Sequence, residues 1–274
     1  MNKVYTVFPG GKAKALTMSY DDGKQEDRRL VDIFNANGIK GTFNINYDAM
    51  LKDTSGDRHP RLLLGEVKDL YRGHEIASHT MTHPTIERCP LSEVAWEVLE
   101  DRKGLESITK APVRGMAYPN GSYNEDIKAL LKQLGIAYSR VVESVSDFKL
   151  PTDPYEWHPT AHHEAPDLME KAEFFANFGK RQYLRLMYVW GHSYEFAEHD
   201  NWEVIEKFSE FMGGRDDIWY ATNIEIIDYM ENSKRLQFAA DNSFVYNPSA
   251  VTVCLMINDK NYVEVGPGEI KTLD

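Results

Sequence analysis

Residues 15–23 read ALTMSYDDG, an apolar run that ends in two adjacent carboxylates. The run Leu16–Tyr20 has the length of a buried strand. Residues 26–37 after it predict an amphipathic helix with Leu30, Ile33 and Phe34 on one face. This order of strand and helix recurs about seven times. The alternation predicts a mainly parallel sheet covered by helices, here a distorted (β/α) barrel that is closed or incomplete.

The pattern predicts seven strands and seven helices in the first part of the chain. The strands are expected at residues 16–20, 41–45, 75–78, 113–117, 136–142, 183–190 and 218–220. The helices are expected at residues 26–37, 62–71, 92–108, 125–134, 168–178, 202–212 and 224–230. In such folds the carboxyl ends of the strands form the site. Polar residues that follow different strands are therefore expected to meet there.

The pattern changes after residue 237. Short β runs occur at residues 243–246, 251–256, 262–265 and 270–273, separated by turns rich in Asn, Gly and Pro. We therefore expect a catalytic domain over residues 1–236 and a small antiparallel β appendage over residues 237–274. An appendage of this size needs to dock on the main domain to be stable.

The net charge of −12 argues against nucleic acid or an anionic membrane as the main partner, because both attract basic surfaces. No apolar run approaches the length of a membrane span. Cys89 and Cys254 lie outside any CxxC pattern and are expected to be free thiols rather than a disulfide. The start of the chain fits a cytoplasmic protein, or an exported one whose signal has been removed. The oligomeric state is left open.

Two histidines follow the strand predicted at residues 75–78, in the stretch HTMTHP at residues 79–84. One carboxylate of the pair Asp21 and Asp22, together with His79 and His83, forms a ligand set for a divalent metal with positions left for water and substrate. The remaining carboxylate would then be free to accept a proton. The two histidines reach one point if the backbone between them makes a helical turn. The alternatives are a turn or helix cap for the acidic pair and a loop with two surface histidines.

At these residues the chain resembles the polysaccharide deacetylases with a NodB-like domain, carbohydrate esterase family 4. Residues 17–23 resemble the first motif of that family, and residues 73–84 resemble its second motif with the usual lead-in. The resemblance covers roughly residues 15–230. It implies that Asp22, His79 and His83 hold a divalent metal, with zinc favoured over cobalt or nickel. It also implies that Asp21 is the general base.

The third motif of the family ends in a proline and a glycine, and Pro119 and Gly121 match them. Ala117 stands where the family has an arginine that orients the base, and Arg114 lies three residues before it. We expect Arg114 or another cation to support Asp21, or else Arg114 to form an ordinary salt bridge. The backbone N–H of Asn120 is the expected oxyanion donor. Tyr118 is a further oxyanion or substrate contact.

The last motif is similar to residues 186–192, LMYVWGH. It implies that His192 is the general acid, a role that suits an imidazole near neutral pH. The alternative is a buried histidine bonded to backbone. In the region of the fourth motif, Asp153 or Glu156 is expected to tune His192, and Trp157 to line the substrate site.

His158, His162 and His163 form a second histidine cluster, expected to be solvated or to supply an extra ligand or substrate contact. Sugar faces stack on aromatic rings, and five aromatic residues beside the motifs are candidates for such a platform. They are Tyr47, Tyr123, Trp157, Tyr194 and Phe196.

The function expected from these residues is metal-dependent removal of acetyl groups from N-acetylated sugars or polysaccharides of peptidoglycan or chitin type. The partner would be a carbohydrate substrate. One alternative on the same fold is hydrolysis of non-sugar or cyclic amides or of O-acetyl esters. A second is a non-catalytic glycan-binding protein.

Overall fold

The computed structural model describes residues 2–52 and 54–273. Within this part of the chain lie fourteen strands: β1 (Val4–Val7), β2 (Lys14–Asp21), β3 (Gly41–Ile45), β4 (Glu75–Ser78), β5 (Gly115–Ala117), β6 (Tyr138–Arg140), β7 (Ala161–His162), β8 (Arg185–Gly191), β9 (Ile218–Tyr220), β10 (Gln237–Phe238), β11 (Phe244–Tyr246), β12 (Val253–Ile257), β13 (Asn261–Val265) and β14 (Ile270–Thr272). The α-helices of the same residues are α1 (Asp27–Ala36), α2 (Tyr47–Met50), α3 (Leu64–Leu70), α4 (Leu91–Thr109), α5 (Glu125–Gln133), α6 (Leu168–Ala176), α7 (Ser193–Glu198), α8 (Glu203–Met212) and α9 (Asn223–Ser233).

The main sheet has eight strands and every described strand pair in it is parallel. Its order is β6-β5-β4-β3-β2-β8-β7, and β9 pairs with the first residues of β2. The predicted distorted (β/α) barrel with a small antiparallel appendage is confirmed. Strand β2 is its central element, because it pairs with β8 over residues 14–20, with β3 over 18–21 and with β9 over 14–16.

Every residue of β2 is buried, the small polar side chains of Thr17 and Ser19 included, because a central parallel strand is covered on both faces. Helices cover the outer face of the sheet, and one apolar cluster there includes Leu30 and Phe34 of α1 and Phe208 of α8. Cys89 and Cys254 are free thiols, as expected. None of the described helices is both long and apolar enough to cross a membrane.

The appendage consists of two three-stranded antiparallel sheets, β1-β12-β13 and β10-β11-β14. Strand β1 lies in the first of them, with Val4 opposite Ile257 and Val7 opposite Cys254. The N-terminal residues therefore belong structurally to the C-terminal β region, a long-range pairing that no local pattern indicates. The boundary at residue 236 stays a prediction.

A buried carboxyl group joins four elements at the amino end of the barrel. Glu75 of β4 accepts hydrogen bonds from Thr42 Oγ1 (2.8 Å) of β3, Tyr138 Oη (2.8 Å) of β6 and the N–H of Ile224 (2.9 Å) in α9. Burial raises the pKa of Glu75 to about 7, and these three donors only partly offset that effect. The group therefore favours the protonated state in the folded protein.

We expect this carboxyl group to make the fold less stable as the pH rises. Its pKa is higher in the folded than in the unfolded chain, so its contribution is complete below about pH 4.5 and is lost as the pH rises to about 7. Glu75→Gln removes the charge and can keep the bonds from Thr42 and Ile224 at its carbonyl oxygen, while its amide N–H donates to Tyr138 Oη in place of the third bond. It should be more stable than the wild type at pH 8, on the order of 3 kcal/mol at most, and similar to it at pH 4.

Urea unfolding of both proteins across this pH range measures the difference. Glu125→Gln is the matched control, because Glu125 is solvent-exposed, and it should leave the pH dependence as in the wild type. An equal pH dependence for Glu75→Gln and the wild type would contradict the expectation.

Candidate active site

The carboxyl ends of five strands bring the sequence motifs together. Asp21 is the last residue of β2, His79 directly follows β4, and His192 directly follows β8. Ala117 ends β5 and Arg140 ends β6. Parallel strands present their carboxyl ends at one edge, so residues more than a hundred positions apart in the chain meet there.

Asp21 lies at the centre of this group and is fully buried. Asn44 donates to its Oδ1 at 2.9 Å, and Arg140 Nη2 donates to its Oδ2. Burial alone would raise the pKa of Asp21, but the charges of Arg140, His79 and His192 outweigh it and lower the pKa to about 2. The carboxylate is therefore ionised at neutral pH.

Arg140 supplies the cation that the third motif lacks. Ala117 and Arg140 are directly paired in neighbouring parallel strands, so their side chains leave the same face of the sheet. Arg140 is fully buried, and its guanidinium lies 4.4 Å from the centre of the Trp190 ring. Arg114 does not reach this point, since it pairs with Asp228 at 3.2 Å on a partly exposed surface.

Asp22, His79 and His83 lie close enough to share one metal ion, with their ligand atoms all within 4.8 Å of one another. His79 Nδ1 lies 2.8 Å from the carbonyl oxygen of Ala117, which can only accept. Nδ1 therefore carries the proton, and Nε2 keeps a free lone pair. Burial lowers the pKa of His79 to about 4, so its ring is neutral, as a metal ligand must be.

The backbone of the second motif is not the helical turn expected from the spacing of its histidines. Thr80 and His83 both have a φ of 63°, and the segment bends rather than coils. His83 N–H donates to Thr80 Oγ1 at 3.2 Å, and Asn46 donates to the Thr80 carbonyl at 2.8 Å. These bonds hold the bend, and the two imidazole rings still meet, with centroids 4.7 Å apart.

Asp22 has a φ of 81° and contacts Arg61, whose Nη1 lies 3.3 Å from Asp22 Oδ1. Arg61 also donates to the backbone carbonyl of Asp22. A left-handed backbone is uncommon for a residue other than glycine and here directs the Asp22 side chain towards the histidines. The donor set of one carboxylate and two imidazoles fits zinc, cobalt or nickel.

His192 also faces Asp21, with its Nε2 3.9 Å from Asp21 Oδ2. Its Nδ1 lies 3.2 Å from Glu195 Oε1. Burial lowers the pKa of His192, but the carboxylates of Glu195 and Asp21 raise it more, and the net shift is upward. The protonated imidazole is therefore favoured between two carboxylates.

Glu195 takes the place that the sequence suggested for Asp153 or Glu156. Both of those carboxylates pair with Lys128, each at 2.7 Å, and make no contact with His192 among the described residues. Glu195 also accepts from the backbone N–H of His192 at 3.0 Å, because the two residues begin α7 as a capping pair. The spacing of three residues at a helix start is the signal that could have found it.

The three expected substrate contacts differ in their exposure to solvent: Trp157 and Tyr118 are buried, and Asn120 is exposed. Trp157 is 1% exposed and packs against Tyr138 and Tyr188, so its ring belongs to an apolar core cluster. Tyr118 is also buried, and its hydroxyl donates to the Tyr155 carbonyl at 2.8 Å. Asn120 is exposed with a φ of 55°.

Among the aromatic platform candidates, Tyr194 lies nearest the acidic pair and His192. Its ring centroid is 5.2 Å from that of His192 and 5.4 Å from that of His59. Phe196 is fully buried and cannot stack on a sugar. Tyr47 and Tyr123 are partly exposed and remain candidates.

The chain is similar to known proteins over part of its length. The model of the family described as polysaccharide deacetylase matches residues 9–139. The chain is 28% identical over 131 residues to a chitooligosaccharide deacetylase of Sinorhizobium fredii. That match covers 47% of this chain and 57% of the relative, so the chain spans little more than half of the relative's length.

Two solved structures share the fold over most of the chain. A putative polysaccharide deacetylase from Mycobacterium smegmatis has a TM-score of 0.58 and 15% identity, with 85% of this chain and 96% of that chain covered. A family 4 acetyl xylan esterase from Clostridium thermocellum, in complex with a cobalt ion, has a TM-score of 0.52 and 12% identity, with 78% and 90% covered. The family model and the Sinorhizobium fredii relative confirm the resemblance to the polysaccharide deacetylases, carbohydrate esterase family 4, and the two structures show the shared fold.

Removing Arg140 should strongly destabilise the fold, because it leaves the buried Asp21 carboxylate without its cation. We expect Arg140→Gln to lower the free energy of unfolding by about 3 kcal/mol or more at pH 7. Arg114→Gln is the matched control and should cost about 1 kcal/mol or less, since its ion pair is partly exposed. Urea unfolding measures both values, and equal losses would contradict the central role of Arg140.

Moving the arginine between the paired strands tests the register itself. The double variant Ala117→Arg/Arg140→Ala should recover part of the stability that Arg140→Ala loses, because position 117 leaves the same face of the sheet. Val113→Arg/Arg140→Ala is the control for adding a buried arginine on the same segment, and it should recover none. No recovery in the first double variant would show that position 117 cannot reach Asp21.

Proposed function

We propose that the protein is a metal-dependent hydrolase that removes acetyl groups from N-acetylated sugars or polysaccharides of peptidoglycan or chitin type. The observation that carries the proposal is the position of Asp21. It lies ionised between Arg140 and His192, next to the group Asp22, His79 and His83. The names of the family and of the Sinorhizobium fredii relative support the substrate class.

Asp22, His79 and His83 would hold the metal, since their donor atoms and the tautomer of His79 fit it. Zinc is the first candidate, and cobalt or nickel are alternatives. When bound, such an ion lowers the pKa of a water and polarises an acetyl carbonyl. The cobalt ion of the Clostridium thermocellum esterase agrees with a site of this kind in the fold.

Amide hydrolysis needs two proton transfers, and Asp21 and His192 each carry out one of them. Asp21 accepts the proton of the attacking water, and Arg140 and Asn44 keep its carboxylate in one orientation. His192 gives its proton to the amine nitrogen as the C–N bond breaks. Acetate and a free amine leave, and the proton taken by Asp21 returns to solvent or to His192.

Glu195 is proposed to position His192. Its contact with Nδ1 fixes which ring nitrogen faces Asp21 and favours the protonated ring that a general acid needs. The backbone N–H of Asn120 remains the proposed oxyanion donor, on a turn that the left-handed φ shapes. Tyr118 and Trp157 support the wall of the site from within.

Two other functions use the same residues. Hydrolysis of O-acetyl esters or of non-sugar or cyclic amides needs the same base and acid, and the Clostridium thermocellum esterase shares the fold. A non-catalytic glycan-binding protein would have no use for an ionised Asp21 beside a complete ligand group. A panel of N-acetylglucosamine oligomers, acetylated xylan and simple amides separates these alternatives.

We expect acetate release from N-acetylglucosamine oligomers, which a chelator abolishes and added zinc or cobalt restores. Release is measured by coupled detection of acetate. The wild type after chelator and readdition of magnesium is the control, and it should stay inactive because Mg²⁺ prefers oxygen ligands. Release from xylan alone would favour the ester function, and no release from any acetylated substrate would count against catalysis.

The two adjacent aspartates should have separable effects. Asp21→Asn should lower the rate of acetate release by roughly 10²–10⁴-fold while the metal content stays unchanged, because it removes the base and leaves the ligands. Asp22→Asn should lower both the rate and the metal content. Acetate assays and elemental analysis on the same samples measure this, and the reverse pattern would exchange the two proposed roles.

A further inference from the structure

The second histidine cluster is not solvated as a whole. His162 ends β7, and His163 follows it with no exposed surface. The His163 ring lies between Phe196, at a centroid distance of 4.0 Å, and Tyr20, at 5.6 Å. A side chain on Gly191 would collide with this ring, since a Cβ there would lie 2.0 Å from His163 Nδ1. The absence of a side chain at Gly191 therefore leaves the space that the His163 ring occupies.

The position leaves polar atoms without partners. Neither ring nitrogen of His163 finds a hydrogen-bond partner among residues 2–52 and 54–273. A buried polar group without a partner costs free energy of the order of 1–3 kcal/mol. The atom nearest to His163 Nε2 in an ion-pair arrangement is Glu195 Oε2, at 3.3 Å. His162 Nε2 lies 3.2 Å from the same oxygen.

We propose that His162, His163 and Glu195 form a second binding site for a divalent transition metal. The three ligand atoms lie within 4.8 Å of one another. In a tetrahedral site with bonds of about 2.1 Å, neighbouring ligand atoms are about 3.4 Å apart. The two nitrogen–oxygen distances are close to that value. Two imidazoles and one carboxylate select zinc, cobalt or nickel over magnesium or calcium.

Glu195 can serve this site and His192 at once, because the two use different oxygens. Its Oε1 faces His192 Nδ1, and its Oε2 faces His162 and His163. When His162 Nε2 binds an ion, the proton of the ring would move to Nδ1. The N–H of Glu164 would then lose the 3.3 Å hydrogen bond that it donates to Nδ1. Glu195 Oε2 also accepts a hydrogen bond from the His192 N–H. This bond uses one lone pair of the oxygen and leaves another for the ion.

An ion at this point would tie the end of β7 to the start of α7, the helix that follows His192. The first group, Asp22, His79 and His83, shares no residue with the second. The chain would then hold two metal ions per molecule, one for each group. This inference does not depend on the proposed deacetylation.

The test is the number of cobalt ions bound per chain, measured by elemental analysis and by visible absorption after chelation, addition of Co²⁺ and desalting. We expect two ions in the wild type and one in His79→Gln/His83→Gln. His162→Gln should bind one, and its partly exposed position makes it the safer variant if His163→Gln fails to fold. His158→Gln, the third histidine of the cluster, is the matched control and should bind two.

The possible results separate the two proposals. One ion in the wild type and none in His79→Gln/His83→Gln would overturn the second site and leave the proposed function intact. One ion in the wild type that only His162→Gln removes would support the second site and remove the metal from the proposed function. A stoichiometry of two that His162→Gln does not change would also overturn the second site.

Discussion

The ion pair between Asp21 and Arg140 is the constraint on which the site depends. The two residues end β2 and β6, with three other strands between them in the sheet. They can meet only because the sheet curls. The curled sheet brings the two charges together, and their ion pair in turn holds β2 and β6 close to each other. Burial makes the pair costly to break, and the charge of Arg140 helps to keep the Asp21 carboxylate ionised.

The order of strands and helices could be predicted from the sequence because short runs rich in apolar residues alternate with amphipathic helices. The same reasoning could place Asp21, His79 and His192 at one edge. It could not find β1, whose four residues pair only with a strand about 250 positions later. The bend at Thr80 and His83 was also beyond it, since side chains such as Asn46, rather than the spacing, hold that backbone.

Partners that lie close in space but not in a motif were the hardest to predict. Arg140 replaces the arginine expected at Ala117 from the paired position of the next strand. Glu195 replaces Asp153 and Glu156 because it follows His192 at the start of a helix, whereas Lys128 engages the other two. In both cases the charge needed is present, and only its place in the chain differs.

The pairing of Ala117 with Arg140 has a consequence for how such proteins are classified. A survey that marks inactive members by the absence of an arginine at one alignment column would score this chain as defective. The charge is held one strand away, at the same height on the same face. A supporting charge can thus be supplied from the paired position of the next strand. A lost site is better recognised from the charges around Asp21 than from any single alignment column.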